Sequence, residues 1–411
     1  MKLICKTTLF VALFWVLGGS ATAQEKKVLE ALKEYVSDES SLFEDISGIK
    51  KKTDRFNLYM NMKGSVNGEF DKSSFEKGHF NMDQLRIEAK GNVNSWLSYR
   101  WRQRLNVSSD GSKSIDNLPS AIDYAGIGVQ VAPKFGLFMG KQGVAYGGIE
   151  YDLNPIEIYQ YAQFLERLPC FLTGLNMNYK LNSKHELNLQ IANNRIDKEL
   201  EQVELANISE VEDAKMPFIY TLNWNGALGK HFETRWSFSF INEAKDENKM
   251  VLSLGNAFKF GKFGGYFDYM YSREQLDRTG LVRDAVFRQK GFQKLYNIGV
   301  SYHAMILHLN YRITPNWNVL AKGAFEFANL NDDLQYKAND TLITLGGGDF
   351  SKTLSYAAGV EYYPMEKSNL HFFLVYSGRA QYMKKYGKHF QLDNTAVSKV
   401  SLGFVYQLKM F

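Results

Sequence analysis

The chain has 411 residues, of which 45% are apolar, 14% aromatic and 23% charged, with 7 Pro and 2 Cys. No Pro/Ser-rich linker, fixed-period repeat or low-complexity tract divides it, which excludes a string of small domains and leaves one large all-β body as a reading. A mean hydropathy of -0.32 excludes a helical membrane protein but not a membrane barrel, because alternating lipid-facing and water-facing residues average out polar.

The first element in chain order is an export leader. Lys2 and Lys6 flank the start of an apolar run, Leu9–Leu17, and Ala21-Thr22-Ala23 reads as a small-x-small cleavage site, so residues 1–23 form a signal peptide with a mature start near Gln24. The apolar run is too short to cross about 30 Å of hydrocarbon. Cys5 leaves with the leader, so Cys170 stands alone and no intramolecular disulfide can form. Without the leader, 47 basic residues face 44 acidic ones, a net +3, too balanced to point to nucleic acid.

Residues 24–53 read as a periplasmic segment, with Val28, Leu29, Leu32 and Val36 on one face of a helix over 25–36. From residue 54 the period switches from 3.6 to 2 and stays there to Phe411. Leu58, Met60 and Met62 alternate with Asn57, Asn61 and Lys63; Leu97, Tyr99 and Trp101 with Ser98, Arg100, Arg102 and Arg104. Trp236, Phe238 and Phe240 alternate with Arg235, Ser237 and Ser239, and Leu402, Phe404, Tyr406 and Leu408 with Ser401, Gly403 and Gln407. Seven short turn-like connections, at 91–95, 132–134, 182–184, 226–230, 261–262, 314–316 and 364–369, interleave with eight longer polar ones. The longer ones fall near 64–78, 106–119, 141–170, 194–215, 242–248, 274–293, 328–352 and 379–395. These connections join sixteen strands if Leu295–Arg312 is one strand with a bulge near His303 absorbing its phase slip. A soluble β-sandwich would bury one strand face but does not require tight turns alternating with long loops, or aromatic residues at strand ends. A transmembrane antiparallel β-barrel of about 16 strands requires both.

At Gly140-Lys141-Gln142 and the run Gly147-Gly148-Ile149-Glu150-Tyr151-Asp152-Leu153-Asn154-Pro155-Ile156, the chain resembles the phosphate-selective porin O/P family, particularly its Bacteroidetes-type members. Ile313-Thr314-Pro315-Asn316-Trp317-Asn318-Val319 and Gly359-Val360-Glu361-Tyr362-Tyr363-Pro364 extend the likeness over the chain from about Phe56. The resemblance implies a sixteen-stranded, water-filled channel in the outer membrane of a Gram-negative bacterium, assembled as a homotrimer among outer-membrane lipids. It also implies that the 141–170 loop folds inward as a constriction. Phe411 suits recognition by the outer-membrane barrel assembly machinery, although it sits one residue out of phase with the Leu402–Leu408 row. Either Met410 is the last outward residue or the strand ends in a bulge.

Two groups of residues are candidates for solute selection. Arg100, Arg102 and Arg104 share one strand face, and Arg86 and Lys90 with Glu88 between them stand on the strand before. If the apolar row meets lipid, these cations line the lumen as an anion pathway, similar to the arginine row of the resembled family; the bland alternative is that they neutralise wall acids. The second group is the loop at 141–170, with Lys141, Tyr146, Glu150, Tyr151, Asp152, Glu157, Tyr159 and Tyr161, and a short helix after Asn154-Pro155. Its acidic balance departs from a phosphate eyelet, and its carboxylates would give a transverse field if they faced the arginines. Its tyrosines would form a polar-aromatic track or pack on the wall. The sequence therefore reads as a porin passing small hydrophilic solutes by passive diffusion with an anion preference, phosphate being one candidate. A non-selective or oligosaccharide-preferring pore and a non-conducting structural barrel are the alternatives. No CxxC, HExxH, GxSxG or Walker pattern occurs, and the seven His are scattered, so no catalytic residue, metal or cofactor is expected.

Overall fold

The computed structural model describes residues 46–47, 54–107, 116–194, 207–208, 211–365 and 368–411. The leader and the helix read over 25–36 lie outside the described residues. Period-two patterning yields nineteen strands among the described residues: β1 (Asn57–Asp71), β2 (Ser74–Asn92), β3 (Leu97–Arg104), β4 (Ile122–Ala132), β5 (Phe135–Gly143), β6 (Phe171–Lys180), β7 (His185–Asn193), β8 (Phe218–Leu228), β9 (Phe232–Ala244) and β10 (Glu247–Phe260). Then follow β11 (Phe263–Glu274), β12 (Phe292–Asn297), β13 (Val300–Arg312), β14 (Trp317–Leu330), β15 (Leu334–Ala338), β16 (Thr341–Leu345), β17 (Gly348–Tyr362), β18 (His371–Met383) and β19 (Thr395–Lys409). Sixteen of them close an antiparallel barrel, β1 pairing with both β2 and β19, while β12, β15 and β16 form a separate three-stranded sheet.

The alternation has a physical reading in burial. Large apolar side chains point away from the barrel, with Leu222, Phe238, Leu374 and Leu402 each about half exposed, whereas Asn61, Thr221, Ser239 and Ser355 point inward and are buried. So much outward apolar area suits a hydrocarbon surround and not water. Closure removes every sheet edge from that surround. All seven short connections expected from the sequence occur at one rim, together with the first and last barrel residues.

Three expectations are corrected. Leu295–Arg312 is two strands: β12 leaves the barrel for the small sheet, and β13 runs in unbroken register against β11 and β14, without a bulge at His303. The phase slip arises because the inward row of β13, Tyr302, Ala304 and Ile306, is itself apolar and buried beneath loops, so both rows read hydrophobic. The connections at 64–78 and 242–248 are not long loops. β1 and β2 extend to a two-residue turn, Lys72-Ser73, with both residues at positive φ (44° and 76°), and β9 and β10 meet at Lys245-Asp246. Neither turn carries the Gly that usually announces a hairpin. At the C-terminus, the amides of Met410 and Phe411 both donate to the Leu58 carbonyl, at 2.7 and 3.2 Å. Two residues thus face one, a bulge that seats the Phe411 ring 5.6 Å from that of Phe56.

Candidate pore constriction and anion pathway

The loop after β5 enters the barrel because its backbone and the walls are matched point by point. Gly147 and Gly148 take φ of 71° and 84°, a region glycine enters without strain, and a Cβ on Gly255 of β10 would lie 2.6 Å from the Gly148 Cα. This close approach delivers helix α1 (Ile149–Asp152) to β11, where the Asp268 carboxylate accepts the Ile149 and Glu150 amides at 2.9 and 2.8 Å. A single turn from Pro155 to Glu157 follows, with Asn154 bonded to Asn61 of β1 at 3.2 Å. Ile156 then packs with Phe373, Val375 and Val405 of β18 and β19. The Lys63 ammonium of β1 donates to the Ile158 carbonyl at 2.8 Å. Helix α2 (Gln163–Arg167) starts on β14, its Gln163 and Phe164 amides bonded to the Glu326 carboxylate at 2.8 and 2.7 Å. Carboxylates at both helix starts complement unpaired N–H groups and the helix dipole. The loop therefore crosses the lumen and is anchored on walls far from the strands it connects.

Its acids meet cations on those walls. Glu150, fully buried, lies 2.6 Å from Lys322 of β14 and accepts the Tyr266 hydroxyl at 2.8 Å. Glu166 pairs with Arg379 of β18 at 2.7 Å, and Asp152 with Arg235 of β9 at 3.7 Å. Glu157 is exposed, and its electrostatic neighbours are His371, Glu361 and Lys63. The loop carboxylates so described have their charged neighbours on β1, β9, β14, β17 and β18, not in the arginine row. Lys141 belongs to β5, is buried, and lies 3.4 Å from Asp116. Tyr146 is fully buried against Tyr151, whose hydroxyl reaches the Pro169 and Cys170 carbonyls. Tyr159 donates to Glu361 at 2.8 Å beneath Lys63, and Tyr161 is half-buried with Arg86 and Arg102 among its electrostatic neighbours.

The arginines occupy one inward face, as their spacing requires. Across β2 and β3, Arg86 stands opposite Arg104, Glu88 opposite Arg102, and Lys90 opposite Arg100. Like charges in direct register are destabilising unless acids intervene. Asp123 supplies one: its carboxylate lies 2.9 Å from Arg86, 3.1 Å from Arg102 and 3.2 Å from Arg104. Glu88 lies 2.8 Å from Arg100 and 4.0 Å from Lys90. Strict alternation on β4 would put Asp123 on the outer face beside Ala125 and Ile127. A register shift prevents this, because Tyr124 opposes Arg102 while Ile122 opposes Gln103, leaving Asp123 as the extra residue of a bulge that turns it inward. The same bulge sets Tyr124 under Arg100, whose guanidinium carbon lies 3.7 Å from the ring centroid. Asp123 and Tyr124 are the members of this cluster that a period-two reading passes over.

Water reaches only part of this cluster. The side chains of Asp123, Glu88, Arg86 and Arg102 are less than a tenth exposed, whereas those of Lys90, Arg100 and Arg104 are 44%, 33% and 28% exposed. The opposite part of the barrel interior mixes inward polar residues such as Thr221, Ser239 and Ser253 with an apolar core. Ile219, Ile241, Val251, Met270, Tyr302 and Ile306 point inward there and share one apolar core with Tyr146, Phe164, Leu165 and Leu168 of the loop. Val282, Val286 and Leu295 of the segment between β11 and β13, and Leu334 of β15, continue that core. The inward-folded segments thus pack against the β8–β14 side, while the cationic cluster stands on β2–β4.

The profile of the family described as phosphate-selective porin O and P matches residues 56–408. The chain belongs to this porin family. It is therefore an outer-membrane channel of a Gram-negative cell. Solved structures agree in fold at low identity. The porin is similar to the outer membrane channel DcaP of Acinetobacter baumannii, at 12% identity and a TM-score of 0.53, over 86% of this chain and 96% of that one. It is also similar to in-vitro folded OmpT of Vibrio cholerae, at 10% identity and a TM-score of 0.52, over 87% and 99% of the two chains. No curated protein matches it. Among the described residues, no group of three His, Cys, Asp or Glu side chains could hold a metal ion in the porin.

Proposed function

We propose that this porin passes small hydrophilic solutes with a preference for anions, set by the β2–β4 wall. The observation that carries the reading is the charge balance there: Arg86, Lys90, Arg100, Arg102 and Arg104 share two carboxylates, Asp123 and Glu88, a surplus of three positive charges. The loop carboxylates do not cancel that surplus, since Glu150, Glu166 and Asp152 are engaged with Lys322, Arg379 and Arg235. Lys90, Arg100 and Arg104 keep contact with water, so their charges act on a passing ion through few intervening solvent layers. Arg100 and Arg104 are held by ion pairs and ring contact, so they guide an anion and release it instead of wrapping it.

The test is the reversal potential of the refolded porin in a planar bilayer under a KCl gradient. Lys90→Ser, Arg100→Ser and Arg104→Ser together leave Arg86 and Arg102 balanced by Asp123 and Glu88, so anion preference should vanish while conductance persists. Retained anion preference would refute the assignment. Block of the chloride current by phosphate would narrow the anion class, and its absence would leave a general anion-preferring pore.

We also infer a homotrimer. OmpT of Vibrio cholerae is described in a trimer form, and it is similar to this porin at 11% identity with a TM-score of 0.50. In this chain β3–β7 are short, eight to eleven residues, and form a low wall that a second copy would cover. Chemical cross-linking in outer-membrane fragments should trap three copies; monomers alone would overturn it.

A further inference from the structure

The outward rows of the barrel do not end alike at the long-loop rim. On β8, β9 and β10 they end in Phe218, Asn242 and Asn248, without charge. Three cations stand there on β11, β17 and β18: Arg273, Lys352 one row below Asp349, and, one residue past the strand, Lys384. None of these three forms an ion pair among the described residues. A cation on the lipid-facing row is unfavourable in hydrocarbon, so it belongs at headgroup depth, where anionic groups are available.

Register brings the cations together with aromatic residues. Tyr271, His303, Phe327, Lys352 and Tyr382 are direct neighbours across β11, β13, β14, β17 and β18, one unbroken outward row. At strand spacing the row is about 19 Å wide. Arg273 lies two residues above Tyr271, and Lys384 two above Tyr382, so basic groups stand over both ends of an aromatic shelf. Lys352 already lies 5.2 Å from the Phe327 ring, and the Tyr269 hydroxyl is 3.0 Å from His303 Nδ1. Asp349 lies opposite Asn329 in the row above.

We propose that this sector binds a phosphorylated glycolipid of the outer leaflet, Arg273, Lys352 and Lys384 holding its phosphates and the Tyr271–Tyr382 shelf its acyl and sugar boundary. Two separated cationic ends with an aromatic floor between them suit a headgroup carrying more than one phosphate on a rigid sugar core, better than a single-phosphate glycerolipid. The inference rests on the outer-membrane location and not on the selectivity of the lumen.

The test is native mass spectrometry of the purified porin in detergent, titrated with bisphosphorylated lipid A, dephosphorylated lipid A or phosphatidylglycerol. Retention of bisphosphorylated lipid A above the other two is expected. Arg273→Gln, Lys352→Gln and Lys384→Gln together should weaken it about tenfold or more. Asp349→Asn should strengthen it. Lys134→Gln, Lys184→Gln and Lys262→Gln, which remove equal charge from the short-turn rim, should leave it unchanged. Equal binding by the Arg273/Lys352/Lys384 variant, or equal retention of phosphatidylglycerol, would overturn the proposal. Because these side chains face outward, unchanged single-channel conductance verifies that the variant barrel is folded. Should the triple variant not fold, Lys352→Gln alone and the salt dependence of binding to the unaltered porin decide the same question.

Discussion

Replacing Asp123 by Asn tests the charge balance in the direction opposite to removing arginines. Asp123 is fully buried and is shared by Arg86, Arg102 and Arg104. The amide keeps an oxygen for their N–H groups but removes one negative charge, raising the surplus of the β2–β4 wall from three to four. For an ion passing about 7 Å away through water, one unit charge is worth about 0.6 kcal/mol. Screening at about 0.1 M salt reduces this roughly by half, to about 0.3 kcal/mol. Anion occupancy then rises and cation occupancy falls by about 1.6-fold each, so the anion-to-cation permeability ratio rises about threefold. The assay is reversal potential under a KCl gradient for both proteins, repeated at about 1 M salt, where a Debye length of about 3 Å should erase most of the difference. An unchanged ratio, or a shift toward cations, would refute the view that this wall sets selectivity. The variant should also lose stability, because truncating one partner of a buried ion cluster costs about 3–5 kcal/mol where the others cannot reach water. Arg104, partly open to the lumen, can turn to solvent and relieve part of that cost.

Three further outcomes follow from the packing of the loops. Lys322→Met strips the partner from buried Glu150 and should release the constriction loop, seen as larger and noisier single-channel conductance and as protease cleavage within 144–170; the local cost is about 3–5 kcal/mol. Gly255→Ala puts a methyl group 2.6 Å from the Gly148 Cα and should unseat the same loop, whereas Gly323→Ala, with no atom within 4 Å of the new carbon, should conduct as the unaltered porin does. Asp277, in the loop after β11, is buried beside Glu274, and burial raises its carboxyl to about 6. A raised folded-state value means the ionised form is the disfavoured one, so the loop should tighten by up to about 3 kcal/mol as pH falls through 6 toward 4. Slower amide exchange of Gly280, Val282 and Arg283 at pH 5 than at pH 7, after correction for intrinsic rates, checks this. Asp277→Asn should remove the pH dependence.

The barrel was legible because its surroundings impose a strict rule. Each strand separates lipid from lumen, so Leu402, Phe404, Tyr406 and Leu408 had to alternate with Ser401, Gly403 and Gln407, and the arginines of β3 had to share a face. The reading failed wherever that rule lapsed locally. On β13 the lumen side is dry, so Tyr302, Ala304 and Ile306 made an ordinary strand look like a shifted one. At Asp123 and Asp83, bulges break the period, and each places a carboxylate in an inward polar cluster. Lys72-Ser73 closes a hairpin without the Gly that usually announces one, so the extended β1–β2 ladder read as a loop. The partners of Glu150, Glu166 and Asp152 were invisible for another reason: Lys322, Arg379 and Arg235 are far away in sequence and meet the loop only after closure.

This distant pairing explains how one loop can be acidic in a pore proposed to favour anions. A carboxylate raises the local cation concentration only if its field reaches the path, and a cation within 4 Å turns that field into a short-range dipole. Glu150 beside Lys322 at 2.6 Å, under the Tyr266 hydroxyl, is such a case, as is Glu166 beside Arg379. The arginine wall is arranged differently, since two acids are spread over five cations and the three exposed ones carry the excess. Acidity counted along the sequence therefore misstates the field, because pairing removes negative charge from the loop more completely than it removes positive charge from β2 and β3. Glu157 is the decisive residue for this argument, being exposed and outside the ion pairs of the loop. Glu157→Gln should raise the permeability ratio by less than Asp123→Asn does, because its neighbours are Lys63, His371 and Glu361 on the β1 and β17–β18 side. A larger effect from Glu157→Gln would move the selecting region from the arginine wall to the loop.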